Sequence, residues 1–312
     1  VIGYIVRRLA WGLVVLSVVM MITFVLTYVL PADPARAIAG ANATPADVAA
    51  IRHSLGLDRP FLAQLVGYVG NVLHGDFGFS YHQHKDVLPL ILSRFPATAQ
   101  LAIAGLGIEL LIGIPLGIMA ATRRGSLWDR SATVFTVVLV SAPSFWVGLL
   151  LLEVVFQGHL NHIDILPVGG GYKPFDIRYL ALPALTLGFS GAAYYNRLMR
   201  ATMLDELGRD YIRTARAKGL GERRVLWRHA LRNSVGPVLI QIGLDLGFFL
   251  GGIVVVEQVF SWPGIGKLAV ESIATADVPL IIGTVLFGTL CIVMANLAVD
   301  VANAIVDPRI RF

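Results

Sequence analysis

Residues Asp210–Asn233 read DYIRTARAKGLGERRVLWRHALRN, with seven Arg or Lys, two acids and a central Gly219-Leu220-Gly221. The net formal charge of this stretch, +5, equals that of the whole chain. From Asp205 to Ala217 the acids come early and the bases late, an order that suits the helix dipole. The glycine pair then supplies a break, because glycine accepts backbone angles that other residues resist. A second helix is expected from Glu222 to Arg232. On it Arg224, Arg228 and Arg232 fall at i, i+4 and i+8 as one basic stripe. Leu226 with Ala230, and Trp227 with Leu231, would make its apolar contacts. The residues therefore predict two short helices joined by a tight turn.

The surroundings of this stretch are apolar. The chain has 312 residues, 56% hydrophobic and only 14% charged, against roughly a quarter charged in soluble domains. Its mean hydropathy is +0.73. These values indicate a polytopic protein of the lipid bilayer. The one cysteine, Cys291, excludes an internal disulfide and a Cys-based metal site. Six segments are long and apolar enough to span: Leu9–Leu30, Ala97–Ala121, Ala132–Phe156, Tyr179–Met199, Ser234–Val256 and Val278–Val306. In a bilayer the backbone must satisfy its own hydrogen bonds, so each is expected to be a helix. The first run is longer than a signal-peptide core of about 7–15 residues and reads as a retained span.

Of the 25 basic residues, 17 fall on one side of such a bundle, ten of them between Arg197 and Arg232. The positive-inside rule then makes both termini and the 203–233 region cytoplasmic. The sequence divides into an N-terminal span (1–30), an external segment (31–96), a core with five spans (97–306) and a tail (307–312). In the external segment, Thr44 as N-cap and Pro45 at N1 open a short helix ended by Gly56. Gln64–Leu73 reads as a second. His82 and His84, near Asp76 and Asp86, read as loop residues without metal-ligand spacing. Gly169-Gly170-Gly171 reads as a flexible turn.

Reactive motifs are missing. Ser261-Trp-Pro-Gly-Ile-Gly-Lys267 lacks the first glycine and the Ser/Thr of a phosphate loop, so no ATP site is expected in this chain. No catalytic residue and no metal site are expected. Within the spans, Glu109 and Asp245 would each cost about 2.5–3.5 kcal/mol at a lipid-facing helix centre, so they must face protein or water. Gln241 shares the face of Asp245. Two readings stay open: a hydrophilic translocation path or site for a cationic group, and a polar clasp between helices. Asn296, Asp300 and Asn303 follow helical spacing near the end of the sixth span, where an acid reaches headgroups or a nearby Arg. Pro143, Pro183 and Pro237 should kink spans three, four and five. Gly247, Gly251 and Gly252 permit close helix approach in span five.

The charged stretch has three readings. One is positive-inside charge beside anionic lipid. Nucleic-acid binding is disfavoured by a segment so short and tethered at both ends. The third is a docking element, with Ala215, Ala217 and Gly219 letting its backbone enter a partner's groove. Here the residues resemble a known family. The stretch is similar to the "EAA" loop of binding-protein-dependent ABC importers: Arg213-Thr214-Ala215 stands in the first place, Gly219 in that of the glycine, and His229 with Leu231-Arg232 in the last. The loop's Glu, Ile and Pro are absent, which argues against a salt bridge from its first position, since Arg213 has the wrong sign. Ala215-Arg-Ala-Lys-Gly-Leu220 and Arg228-His-Ala-Leu-Arg-Asn233 look like the version found in dipeptide and oligopeptide permeases. Pro31-Ala-Asp-Pro34, Leu55-Gly-Leu-Asp-Arg-Pro60, Gly75-Asp-Phe-Gly-Phe-Ser80, Pro143-Ser-Phe-Trp146, Leu182-Pro-Ala-Leu-Thr-Leu-Gly188, Val256-Glu-Gln-Val-Phe-Ser-Trp-Pro-Gly264 and Asp307-Pro-Arg-Ile-Arg311 extend the likeness along nearly the whole chain.

The resemblance implies an all-α membrane protein of the type I ABC importer fold, the B-type permease subunit of a di- or oligopeptide importer. It implies a homologous C-type permease, two cytoplasmic ATPase subunits that carry ATP and Mg, and an external substrate-binding protein. The coupling region would comprise Asp210, Arg213, Ala215, Gly219, Leu220, Gly221, Arg224 and Arg228. Glu109, Gln241 and Asp245 remain the translocation-path candidates. Pro31–Pro96 and Glu257–Pro279 are expected to meet the binding protein. The rival from another class is an ion-coupled secondary transporter using Glu109 and Asp245, and a third is a purely structural membrane subunit.

Overall fold

The computed structural model describes residues 2–29, 34–39, 43–54, 56–80, 82–160, 166–167 and 171–306, without the side chains of 2–5, 26–29, 34, 37–38, 54, 159–160 and 302–306. Pro31–Asp33, Leu55, Gly169–Gly170 and Asp307–Arg311, all singled out above, lie outside the described residues, as does the side chain of Asn303. The elements in chain order are α1 (Ile2–Val29), α2 (Pro34–Ala39), α3 (Pro45–Ser54), α4 (Phe61–Leu73), β1 (Phe79–Ser80), β2 (Lys85–Asp86), α5 (Val87–Thr122), α6 (Leu127–Ser141), α7 (Ser144–Leu160), α8 (Ile177–Leu207), α9 (Asp210–Ala217), α10 (Glu222–Arg224), a π-helical stretch (Val225–Ala230), α11 (Leu231–Leu250), α12 (Val254–Val259), α13 (Ile265–Ala274) and α14 (Val278–Val306). The strand pair is a two-stranded antiparallel hairpin, Phe79 opposite Asp86. Everything else that is regular is helical, as the backbone demands in lipid.

Four helices are long and apolar enough to cross a bilayer singly: Val6–Val25, Val87–Thr122, Glu222–Leu250 and Val278–Val301. The expected third span is not one kinked helix. It is α6 and α7, bent by 101° at the Ala142–Pro143 break, so the described residues offer up to five apolar spans. Pro143 cannot donate to the preceding turn, and α7 restarts after it. The fourth expected span lies in α8, which is 31 residues long. Its second half carries Tyr194, Asn196, Arg197 and Arg200, which is why it falls short of the others in apolar character. Pro183 and Pro237 sit inside continuous α8 and α11. The fifth span ends earlier than expected, at Leu250, where Gly252 turns the backbone to a φ of 119°. The second span begins earlier, at Val87, and takes in Pro96.

The chain forms two compact units. The first comprises 1–98, 250–254 and 263–293. Its core is Val87, Leu90, Ile91, Ile265, Leu268 and Leu280, with Phe77, Phe95 and Phe287 packed against it. Two polar bonds lock this core. The Thr98 hydroxyl accepts from Ile265 N–H at 2.8 Å. Ser80 donates to Asp277 at 2.5 Å, both residues buried. The α3 cap forms as expected, with Thr44 Oγ1 accepting from Asp47 N–H at 3.3 Å and Asp47 accepting from Thr44 N–H at 3.0 Å, a reciprocal capping box.

The second unit comprises 99–249, 255–262 and 294–312. Helix α8 is its spine, packed by α6 and α7. It also meets α5 at backbone distance. A Cβ on Gly113 would stand 2.7 Å from Ala192 O, and one on Gly117 would stand 2.7 Å from Asn196 O. Small residues four apart thus let two helices touch, the usual device where no hydrophobic force pulls helices together.

Candidate functional site

Two sites in the second unit hold the residues singled out from the sequence. The first is a polar cluster across α5, α8 and α11. The Tyr195 hydroxyl donates to Asp245 Oδ2 at 2.6 Å. Gln241 Nε2 donates to Asp245 Oδ1 at 2.8 Å, one helical turn away on the same face. Tyr194 donates to Gln241 Oε1 at 3.3 Å. The chain of bonds runs from the exposed Tyr194 to the fully buried Tyr195. Neither tyrosine was singled out from the sequence, although a Tyr-Tyr pair in an expected span is a visible signal.

Glu109 lies on α5, within electrostatic range of Asp245 and Tyr195. It is 2% exposed and its Oε2 has no hydrogen-bond partner among the described residues. Gly191 of α8 makes room for it, since a Cβ there would fall 1.9 Å from Glu109 Oε1. Glu109 therefore faces protein, while Gln241 and Asp245 are half-buried. Below this cluster α8 is tied to α6. Asn196 donates to Thr136 Oγ1 at 2.6 Å, and Arg200 grips Asp129 with two bonds of 2.7 and 3.0 Å. The Asp129 carboxylate also accepts from the Gly125 N–H at 2.9 Å.

The second site is the loop from Gly208 to Leu231. Helix α9 is separate, but the expected second short helix is not. Glu222–Leu250 is one continuous helix carrying a π stretch over Val225–Ala230. The π stretch places one extra residue per turn, and such turns recur at functional positions. Gly219 holds a φ of 77° with nothing within 4 Å of where a Cβ would be. Its glycine is required by the backbone angle, not by packing. Across the turn, Arg216 pairs with Glu222 at 2.7 Å. On α9, Arg213 pairs with Asp210 at 3.3 Å.

Two expectations about side chains are corrected here. Ala215 does not offer a small surface to a partner: with Ile212 it is buried against the protein's own helices. Trp227 is not an internal contact either; it is 60% exposed, beside Gly221, Glu222, Arg223, Arg224 and Arg228 on an open groove. Arg224, Arg228 and Arg232 remain exposed.

The remaining motifs resolve as structure. Trp262 is buried and edge-on to Tyr172, with ring centroids 4.9 Å apart. Lys267, at the end of the Ser261–Lys267 run, pairs with Glu271 at 3.9 Å. Within Glu257–Pro279, Glu257, Trp262, Ile265, Leu268 and Asp277 are buried, and 273–276 is the exposed part.

Residues 113–312 match the family described as "Binding-protein-dependent transport system inner membrane component", and residues 1–102 match its described N-terminal part. The chain is 39% identical over 310 residues to the glutathione transport system permease protein GsiC of Escherichia coli (strain K12), covering 99% of each. It is 39% identical over 333 residues to the probable D,D-dipeptide transport system permease protein DdpB of the same strain, covering 98% of this chain and 97% of that protein. Among solved structures, an amino acid ABC transporter with histidines aligns at a TM-score of 0.53 and 15% identity, over 71% of this chain and 94% of that one. The MetNI methionine ABC transporter in an inward-facing form aligns at 0.52 and 16%, over 70% and 96%. These two likenesses concern the fold.

Proposed function

The chain belongs to the binding-protein-dependent transport system inner membrane component family, and from that premise we propose a short peptide as the cargo and the Gly208–Leu231 loop as the point where ATP energy enters. It is a permease subunit of an ABC importer, a translocation subunit and not itself an enzyme. The ion-coupled alternative is not favoured. Relatives named for glutathione and for a D,D-dipeptide support a cargo of two or three residues.

In this reading the loop lies in the cytoplasm with both termini. Its exposed face, with Trp227 between Arg224 and Arg228, docks on an ATPase subunit that holds ATP and Mg. That juxtaposition carries the reading: an indole and two guanidinium groups left uncovered beside a turn that Gly219 and the Arg216–Glu222 pair make rigid. Because Glu222–Leu250 is one helix, a push at the loop would travel directly to Gln241 and Asp245. A second, homologous permease would complete the path, and an external binding protein would deliver the peptide. Energy enters only through the different affinities of two states for nucleotide and for the binding protein.

The test is reconstitution of the chain with its second permease, ATPases and binding protein in liposomes. ATP-dependent uptake of labelled di- or tripeptide is expected. Uptake that follows an ion gradient at constant ATP would overturn the coupling, and transport of sugars or metal complexes alone would overturn the cargo.

A further inference from the structure

Helix α4 is built inside out for a helix in water. Its sequence, FLAQLVGYVGNVL, has no charged residue. Leu62, Val66 and Leu73 fall within about 40° of one another around the axis, and they are 71%, 70% and 76% exposed. Val69 lies between them on the same face. The opposite face carries Gln64 and Tyr68, both half-buried, which with the exposed Asn71 line a cavity of about 330 Å³ shared with Phe24 of α1. The apolar stripe thus faces out and the polar residues face in, the reverse of a solvated amphipathic helix.

Where α4 sits on α1 indicates what covers the stripe. Phe24 meets the rings of Phe61 and Tyr68 at centroid distances of 5.5 and 5.9 Å. Phe24 lies in the C-terminal part of α1, which continues to Val29. On α1, Met21, Ile22 and Val25 are exposed in the same region. These residues belong to a helix long and apolar enough to cross a membrane. The stripe on α4 continues the exposed apolar surface of α1 toward that helix's C-terminal end. An uncharged helix with its own backbone bonds satisfied loses nothing at a bilayer surface, and its large aliphatic side chains gain by leaving water.

We infer that α4 is an interfacial helix, its Leu62–Val66–Leu73 face seated in the bilayer leaflet that surrounds the far end of α1. It anchors the segment between α1 and α5 to the membrane surface.

The experiment places a nitroxide at Val66→Cys in a Cys291→Ala background, in the full transporter reconstituted into phosphatidylethanolamine–phosphatidylglycerol liposomes. A label at Trp11→Cys on α1 calibrates the lipid-exposed signal. Frequent collision with oxygen and rare collision with water-soluble nickel–ethylenediaminediacetate is expected, as at position 11. Free collision with the nickel complex would show a solvated face and overturn the inference. Exclusion of both reagents would show a protein partner on the stripe and overturn it equally. If Val66→Cys assembles poorly, Leu62→Cys reads the same face.

Discussion

Tyr195 of α8 donates its hydroxyl hydrogen to Asp245 of α11 across 2.6 Å, and Gln241 holds the other carboxylate oxygen at 2.8 Å. Both oxygens of the acid in the fifth span are therefore engaged by side chains of this chain. Substitutions at this pairing separate the two readings that the sequence left open, a translocation path and a polar clasp. In Tyr195→Phe, loss of an interhelical bond should lower the stability of the assembled transporter by about 0.6–1.7 kcal/mol. In Asp245→Asn, the neutral side chain keeps an acceptor for Tyr195 but loses its charge. Assembly should survive while peptide uptake falls. Uptake at the parental rate in Asp245→Asn would leave only the clasp.

Gly191 is a position where one methyl group matters. Gly191→Ala drives a Cβ to 1.9 Å from Glu109 Oε1, so α5 and α8 must separate or Glu109 must move. Overpacking of this kind costs about 1–3 kcal/mol. Thermal unfolding in detergent should show the loss. Glu109→Gln should not rescue it, because the side chain keeps its length. Glu109→Ala should, because the conflicting atoms are gone.

The Asp129–Arg200 fork ties α6 to α8 through a nearly buried carboxylate. Asp129→Asn should cost about 1–3 kcal/mol of stability. Thermal melts in detergent read this directly, and a variant as stable as the parent would contradict it.

In the loop, the basic pair and the turn act separately. Arg224→Glu with Arg228→Glu inverts the charge on the exposed face and should leave ATP hydrolysis running with little uptake. Gly219→Val forces a β-branched residue to a φ of 77°, at a cost of roughly 1–2 kcal/mol, and should show the same uncoupling. Gly219→Asn should lie between the two, since Asn tolerates this region better. The ratio of peptide imported to ATP hydrolysed is the measurement, and parental coupling in the double Arg variant would remove the docking role.

Much of this was legible in the residues because membrane proteins obey a short list of rules. Apolar runs of twenty residues had to be helices. The Thr44–Asp47 cap, the Gly219 turn and the family likeness could be read from spacing alone. The errors fall where one helix answers to another. Pro143 breaks the third span instead of bending it, and the second helix of the loop merges into α11 through a π stretch that no residue type announces. Trp227, expected to make an apolar contact with Leu231, lies on the exposed face instead.

What the sequence determined by itself was the solvent of this chain and its family, since hydropathy, basic asymmetry and local motifs act over a few residues each. What only the tertiary structure decided was partnership: Asp245 with Tyr195, Asp129 with Arg200, Gly191 against Glu109, Ser80 with Asp277. A buried polar group must find a complement, but which one it finds depends on how helices distant in sequence cross and how closely their small residues let them approach.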